Sequence, residues 1–254
     1  MLVGGVEKTS AGPLRVLFSV GFWTVFALIC IAFLFIAVTL WLVTFPFDRQ
    51  RRINHYFSCF WGHVFVVLFP GWRLRVSGRR NIDRRQSYVM VANHTSLGDI
   101  PFLFSIYRQF KWVSKASVFK TPVLGWNMWL CRYIPLVRSN AASIAAMMET
   151  CREWLRAKMS VMMFPEGTRS VDGQLQPFKH GAFTLAHEVG CAVVPIAIHG
   201  GHEVMPKHQQ TLAPRARIHV EILEPMFPAD YGDVQSFSDA VHARIRLALG
   251  QVAA

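Results

Sequence analysis

The sequence predicts an α/β fold: a mixed, mostly parallel sheet flanked by helices, with an N-terminal membrane-embedded helical segment. Two patterns carry this reading. From residue 72 to residue 254, short apolar or alternating runs of strand length recur between helical patterns. Ahead of them, Val16 to Phe47 holds no charged residue over 32 positions. As a helix that run would extend about 48 Å at ~1.5 Å per residue, against a bilayer core of ~30 Å. The expected division is a membrane-anchoring helical region at 1–71, with apolar stretches at 16–47 and 56–72, and an α/β domain at 72–254.

The first apolar run exceeds a signal-peptide core and ends in no small-residue cleavage site. Pro46 and Asp48 close it, and Arg49, Arg51 and Arg52 follow, which puts that end on the cytoplasmic side. The second stretch, Tyr56 to Trp72, is interrupted by Gly62, His63, Pro70 and Gly71. Two arrangements fit. One is a transmembrane helix followed by an interfacial helix, and the other a helical hairpin immersed in one leaflet.

From Trp72 the pattern changes. Trp72, Leu74 and Val76 alternate with Arg73 and Arg75, as on a half-buried strand. Val89–Ala92, Val161–Phe164 and Ala192–Ile198 are short apolar strands, and Arg215–Leu223 alternates with Ile218, Val220 and Ile222 on one face. Pro101 suits the first turn of a helix. Ile144, Met147, Met148, Cys151 and Leu155 recur at helical spacing behind Ser139-Asn140, a helix-capping pair. Phe178–Val189 reads as a helix stopped by Gly190, and Phe237, Val241, Ile245 and Leu249 mark a last one.

Composition narrows the function. The 254 residues are 52% hydrophobic and 17% charged, with net charge +12, which excludes a disordered chain. Mean hydropathy is +0.29 and the pI about 10.0. Residues 1–85 hold eleven Lys/Arg against Glu7, Asp48 and Asp83, a net of +8; residues 86–254 hold sixteen against twelve acids, a net of +4. The basic excess therefore lies beside the most apolar part of the chain, where it suits anionic lipid headgroups, and no nucleic-acid partner is expected. Cys30, Cys59, Cys131, Cys151 and Cys191 are odd in number and widely spaced, as buried free thiols rather than a disulfide framework or zinc ribbon.

Four segments could carry chemistry. Asn93-His94-Thr95-Ser96-Leu97-Gly98-Asp99 follows a strand. On one continuous helix His94 and Asp99 would point about 140° apart, but the turn formers between them can fold the carboxylate back onto the imidazole. A carboxylate on Nδ1 would orient Nε2 as a general base; a structural histidine beside a capping Asp is the alternative. Phe164-Pro165-Glu166-Gly167-Thr168-Arg169 is a turn at another strand end, where ligand loops gather, and Arg169 offers a fork suited to phosphate or a plain surface charge. Lys111, Lys115 and Arg138 are cations that could reach one cleft, or remain solvated. Pro177–Phe183 opens a helix whose amides, with Lys179, could help hold phosphate. Nucleophile-elbow, P-loop and dinucleotide motifs are absent. His199 and His202 lie close together with only Glu203 nearby, and no metal is expected.

Together these segments resemble the glycerolipid acyltransferase family, most closely its bacterial 1-acyl-sn-glycerol-3-phosphate acyltransferases. The N-H-x4-D block matches Asn93-His94…Asp99, and the F-P-E-G-T-R block matches Phe164 to Arg169 without a mismatch. The F-K-x-G-A-F block matches Phe178 to Phe183, and the V-P-I block Val194 to Ile196. The middle block matches loosely at Arg138, where Cys131-Arg132 stands in place of the family's usual Gly. The resemblance covers roughly residues 72–225.

It implies that His94, held by Asp99, deprotonates the sn-2 hydroxyl of lysophosphatidic acid for attack on the thioester of acyl-CoA or acyl carrier protein, yielding phosphatidic acid. No metal, cofactor or covalent acyl-enzyme is implied. Arg169 and Lys115, then Arg138, are the expected phosphate ligands, with Thr168 and Lys179 beside them; Glu166 and Gly167 shape the turn. The expected location is the bacterial inner membrane, with the catalytic domain on its cytoplasmic face. Alternatives are acyl transfer to glycerol 3-phosphate, another lysophospholipid or a lyso-ornithine lipid, and a non-catalytic membrane-binding protein with this fold.

Overall fold

A computed structural model describes residues 13–68, 71–207 and 211–251. Pro70 lies outside them. The chain opens with an antiparallel helical hairpin, α1 (Pro13–Thr44) and α2 (Arg52–Val67). Aromatic rings join the two: Phe26 lies 4.5 Å from Phe65, and Phe33 packs on Phe57, Phe60 and Trp61. Deeper in the seam the Asn54 amide donates to the Ala37 carbonyl at 2.9 Å.

Asp48 builds the turn. Its carboxylate accepts the amides of Arg52 and Ile53, both at 2.9 Å, satisfying two of the orphan donors at the start of α2. Arg51 adopts a left-handed φ of 55°, donates to the Asp48 carbonyl and lies over the rings of Trp41 and Phe45. Arg51 is thus buried inside the turn, whereas Arg49 and Arg52 are exposed.

The rest is a three-layer α/β domain. Its seven strands are β1 (Trp72–Ser77), β2 (Val89–Ala92), β3 (Phe110–Lys115), β4 (Ile134–Leu136), β5 (Ser160–Met163), β6 (Val193–His199) and β7 (Ala216–Ile222). They lie in the order β1-β7-β6-β2-β5-β3-β4. All neighbours are parallel except β6 and β7, so the expected mixed, mostly parallel sheet is found. The strands β3 and β4 are additions to the sequence reading. The connecting helices are α3 (Asp99–Phe104), α4 (Leu124–Leu130), α5 (Ala141–Arg156), α6 (Gly181–Val189), α7 (Gly201–Val204) and α8 (Val234–Ala248).

Strand alternation divides the core. Met90 and Ala92 of β2, with Val194, Ile196 and Ile198 of β6, pack under α3. Val89 and Val91 point the other way, against Cys151 and Leu155 of α5, Phe183 of α6 and Phe237, Val241 and Ile245 of α8. Caps set the helix ends as the sequence suggests. Asn140 accepts the Ser143 amide at 2.8 Å, and Gly190 ends α6 at φ 69°. The helix expected from Phe178 begins instead at Gly181, because the Lys179 amide is donated to the Pro165 carbonyl. All five cysteines are free.

The hairpin is fastened to this domain along its length. His55 of α2 bonds the Tyr133 hydroxyl at 2.9 Å and the Arg108 carbonyl at 2.8 Å. Gly62 sits against Phe104 so closely that an added Cβ would lie 2.9 Å from its side chain. Near the start of α1, Ser19 accepts the Leu212 amide and Phe22 packs on Trp72. At the turn, Gln50 donates to the Ala157 carbonyl and Arg132 to the Arg49 carbonyl.

Candidate active site

The parallel strands β2, β5, β3 and β4 are neighbours, so their C-terminal ends share one sheet edge, where ligand loops of α/β folds gather. Asn93 leaves β2 and locks its side chain onto β6, donating to the Ile198 carbonyl and accepting the Ile198 amide. The chain then turns through His94-Thr95-Ser96, and Asp99 starts α3. This turn folds Asp99 back as the sequence anticipated. Its Oδ2 lies 2.9 Å from His94 Nδ1 and accepts the amides of Thr95 and Ser96 at 2.7 and 2.8 Å.

Asp99 is fully buried, and the His94 side chain keeps 14% of its surface exposed. Three donors converge on one oxygen, so the carboxylate cannot rotate without losing all three. With Nδ1 engaged, Nε2 is left to face a substrate. The imidazole stacks flat on Phe164, 3.9 Å between centroids and 8° between planes, and Trp112 stands behind Phe164 at 5.6 Å. Among the described residues the other Asp99 oxygen, Oδ1, and the Thr95 hydroxyl have no hydrogen-bond partner, and both face Gly201.

The turn after β5 grips the backbone of the same histidine. Glu166 Oε1 accepts the His94 amide at 2.6 Å and Oε2 the Gln176 amide at 3.0 Å. The His94 carbonyl accepts the Ser170 amide at 2.8 Å. Burial pushes the Glu166 carboxyl up to about 7, against the pull of its two amide bonds; the Asp99 and Asp172 charges push the same way as burial. Gly167 supplies the positive φ of 72° that closes the turn, with the Lys179 stem packed where a Cβ would be.

The cations distribute unequally. Arg169 is half-buried in this turn, Lys179 lies exposed over Gly167, and Thr168 accepts a hydrogen bond from Lys207 at 3.2 Å. Lys115 ends β3 in register with Leu136 of β4, and Arg138 follows two residues later; both are exposed at this edge. Lys111 does not join them. It is fully buried, donates to the Gln50 and Cys131 carbonyls at 2.6 and 2.7 Å, and sits 4.7 Å from the Trp154 ring. Burial lowers its pKa to about 8. The cleft role expected of Lys111 is therefore corrected: it ties the hairpin turn to the domain. Sequence reasoning also missed Lys207, Gly201 and the backbone-locking side chain of Asn93. Only the Gly200-Gly201 pair at a strand end hinted at a close approach.

An imidazole fixed on one nitrogen, open on the other and set at the ligand edge of a parallel sheet is the arrangement of a general base. The profile of the family described as Acyltransferase matches residues 73–199, half of the chain, and the chain belongs to that family. A Salmonella typhimurium protein named 1-acyl-sn-glycerol-3-phosphate acyltransferase is 30% identical over 190 residues, covering 72% of this chain and 75% of its own. The Brassica napus chloroplastic 1-acyl-sn-glycerol-3-phosphate acyltransferase BAT2 is 36% identical over 183 residues, covering 71% of this chain and 53% of its own. The chain spans about half the length of such chloroplastic relatives. In fold, it is similar to the crystal structure of the 1-acyl-sn-glycerophosphate acyltransferase PlsC from Thermotoga maritima. The TM-score is 0.78 at 22% identity, over 93% of this chain and 97% of that one.

Proposed function

We propose that this protein moves an acyl chain from acyl-CoA or acyl carrier protein to the sn-2 hydroxyl of 1-acyl-glycerol 3-phosphate, giving phosphatidic acid for phospholipid synthesis. The names of its relatives support the substrate class. The observation that carries the chemistry is the His94 ring, held on Nδ1 by Asp99 at 2.9 Å beside the 164–169 turn.

His94 Nε2 takes the hydroxyl proton as the oxygen attacks the thioester carbon. The carbon–sulfur bond breaks, and the proton passes to the departing thiolate. Charge balance closes with neither metal nor covalent enzyme intermediate. Arg169 and Lys115, then Arg138, meet the substrate phosphate, with Lys179 and Thr168 at its margin. Glu166 and Gly167 hold the turn in shape. The test is a mass-spectrometric product assay on the purified chain with several lyso-acceptors and both donors. Phosphatidic acid should form with lysophosphatidic acid, and no acyl transfer to any acceptor would refute the proposal.

The same reading places the enzyme on the cytoplasmic face of a bacterial inner membrane, with residues 1–71 as its anchor. Among the described residues one helix, Val16–Thr44, is long and apolar enough to cross a bilayer, at a mean hydropathy of 2.9. Its contacts favour a hairpin in one leaflet. Phe22 and the turn after Thr44 both touch the α/β domain, about 33 Å apart at ~1.5 Å per residue. A helix that meets one domain at points farther apart than a ~30 Å hydrocarbon core lies along that domain. A thiol introduced by Pro13→Cys tests this, in a chain whose five native free cysteines are replaced by Ala. Labelling by a membrane-impermeant maleimide only after lysis supports the hairpin, and labelling of intact spheroplasts shows a spanning helix.

A further inference from the structure

In the antiparallel pair β6–β7, His199 stands directly opposite His219. Opposed residues share a sheet face, and Glu221 returns to that face two positions on. One ligand atom from each of His199, His219 and Glu221 lies within 4.8 Å of the other two. The imidazoles stack at 5.2 Å and 17°. Among the described residues the buried His199 Nε2 makes no hydrogen bond, and Glu221 Oε2 is 3.5 Å away. His219 Nε2 is 2.7 Å from the Ser77 hydroxyl of β1.

We propose that His199, His219 and Glu221 bind a divalent transition-metal ion of the zinc class. Two imidazoles and a carboxylate form a donor set that zinc uses with water in the remaining position. Bond lengths of ~2.0–2.2 Å require the three groups to draw together slightly. They can do so, since each is only partly buried. Ser77 is the outer contact that orients a ligating imidazole. Arg75 is in register with His219 on the neighbouring strand, and the Glu221 carboxylate offsets its charge beside a dication. An ion here also gives His199 Nε2 a direct bond, where it now has only the Glu221 carboxylate at 3.5 Å and no hydrogen bond among the described residues.

The site lies next to the catalytic edge without being part of it. His199 ends β6, and Gly200 and Gly201 follow, the latter against Asp99 Oδ1. Clipping His199 to β7 thus fixes the strand end that walls the His94–Asp99 pair.

The test uses the full chain, purified in detergent and stripped with a chelator. Co2+ is titrated with its visible absorption as readout, and Zn2+ by calorimetry and as competitor. One equivalent should bind. His199→Ala, His219→Ala and Glu221→Gln should each weaken binding at least ~10-fold, and Ser77→Ala less. Zn2+ should raise the thermal midpoint of the parent chain and leave that of His219→Ala unchanged. Absence of saturable binding overturns the proposal, as does an unchanged affinity in Glu221→Gln, the mildest of the three changes. None of these readouts depends on acyl transfer, so the site stands or falls separately from the catalytic proposal.

Discussion

The Glu166 carboxylate holds the backbone amide of His94 at 2.6 Å, across the gap between two neighbouring strand ends. Asp99 fixes the ring of that histidine and Glu166 fixes its main chain, so the two carboxylates have separate tasks. Glu166 is only 5% exposed, and burial raises its carboxyl to about 7, from 4.5 in water. The folded protein therefore binds a proton that the unfolded chain releases between pH 4.5 and 7.

Stability follows from that linkage. The contribution of Glu166 is fully present below about pH 4.5 and is lost as the pH rises through about 7. At about 1.4 kcal/mol per pH unit, the change is on the order of 3 kcal/mol. Glu166→Gln does not titrate. Urea unfolding of both proteins across this range should show the parent losing stability relative to the variant as pH rises. Parallel curves would mean that the carboxyl titrates normally.

Asp99 should matter for rate more than for binding. Asp99→Asn can keep a carbonyl oxygen on the two main-chain donors, but it removes the charge that steadies a protonated His94. A fall in kcat of ~10^3–10^4 is expected, as for other carboxylate–histidine pairs. His94→Ala should abolish product formation while the unfolding midpoint is retained. An Asp99→Asn enzyme within tenfold of the parent in kcat would remove Asp99 from the mechanism.

Much of this is legible in the sequence because it is local. Four residues separate His94 from Asp99, and the turn formers among them suffice to predict their meeting. Gly190 and Asn140 act where helix-end chemistry puts them. What stayed hidden depends on register and depth. Lys111 and Lys115 look alike in sequence, yet Lys111 lies beneath the hairpin turn and Lys115 reaches the rim. His199 and His219 are twenty residues apart and meet only because β6 and β7 pair antiparallel with those two opposed. Strand alternation cannot single out such a pairing, since every register shift by two residues preserves it.

The phosphate assignment separates into binding and chemistry. Arg169→Ala should raise KM for lysophosphatidic acid by roughly 10- to 100-fold, the loss of about 1.5–3 kcal/mol expected for a charge-assisted hydrogen bond, with a smaller change in kcat. With monoacylglycerol, which lacks the phosphate, parent and variant should react equally slowly. A variant whose KM for lysophosphatidic acid is unchanged shows that Arg169 does not meet the phosphate.

Gly201 tests how tightly the dyad is walled. A Cβ there would lie 2.5 Å from Asp99 Oδ1 and 2.9 Å from the Thr95 hydroxyl. Asp99 cannot swing aside, because its other oxygen holds the His94 ring and two amides. Something must move, and either the 200–201 backbone retreats or the dyad opens. A displacement of ~1 Å at a reacting group costs on the order of 100-fold in rate. Gly201→Ala should therefore lower kcat by about that factor with KM nearly constant. Gly232→Ala, where a Cβ meets nothing within 4 Å among the described residues, provides the control. If Gly201→Ala retains the parental kcat, the strand end yields, and Asp99 is held from the α3 side alone.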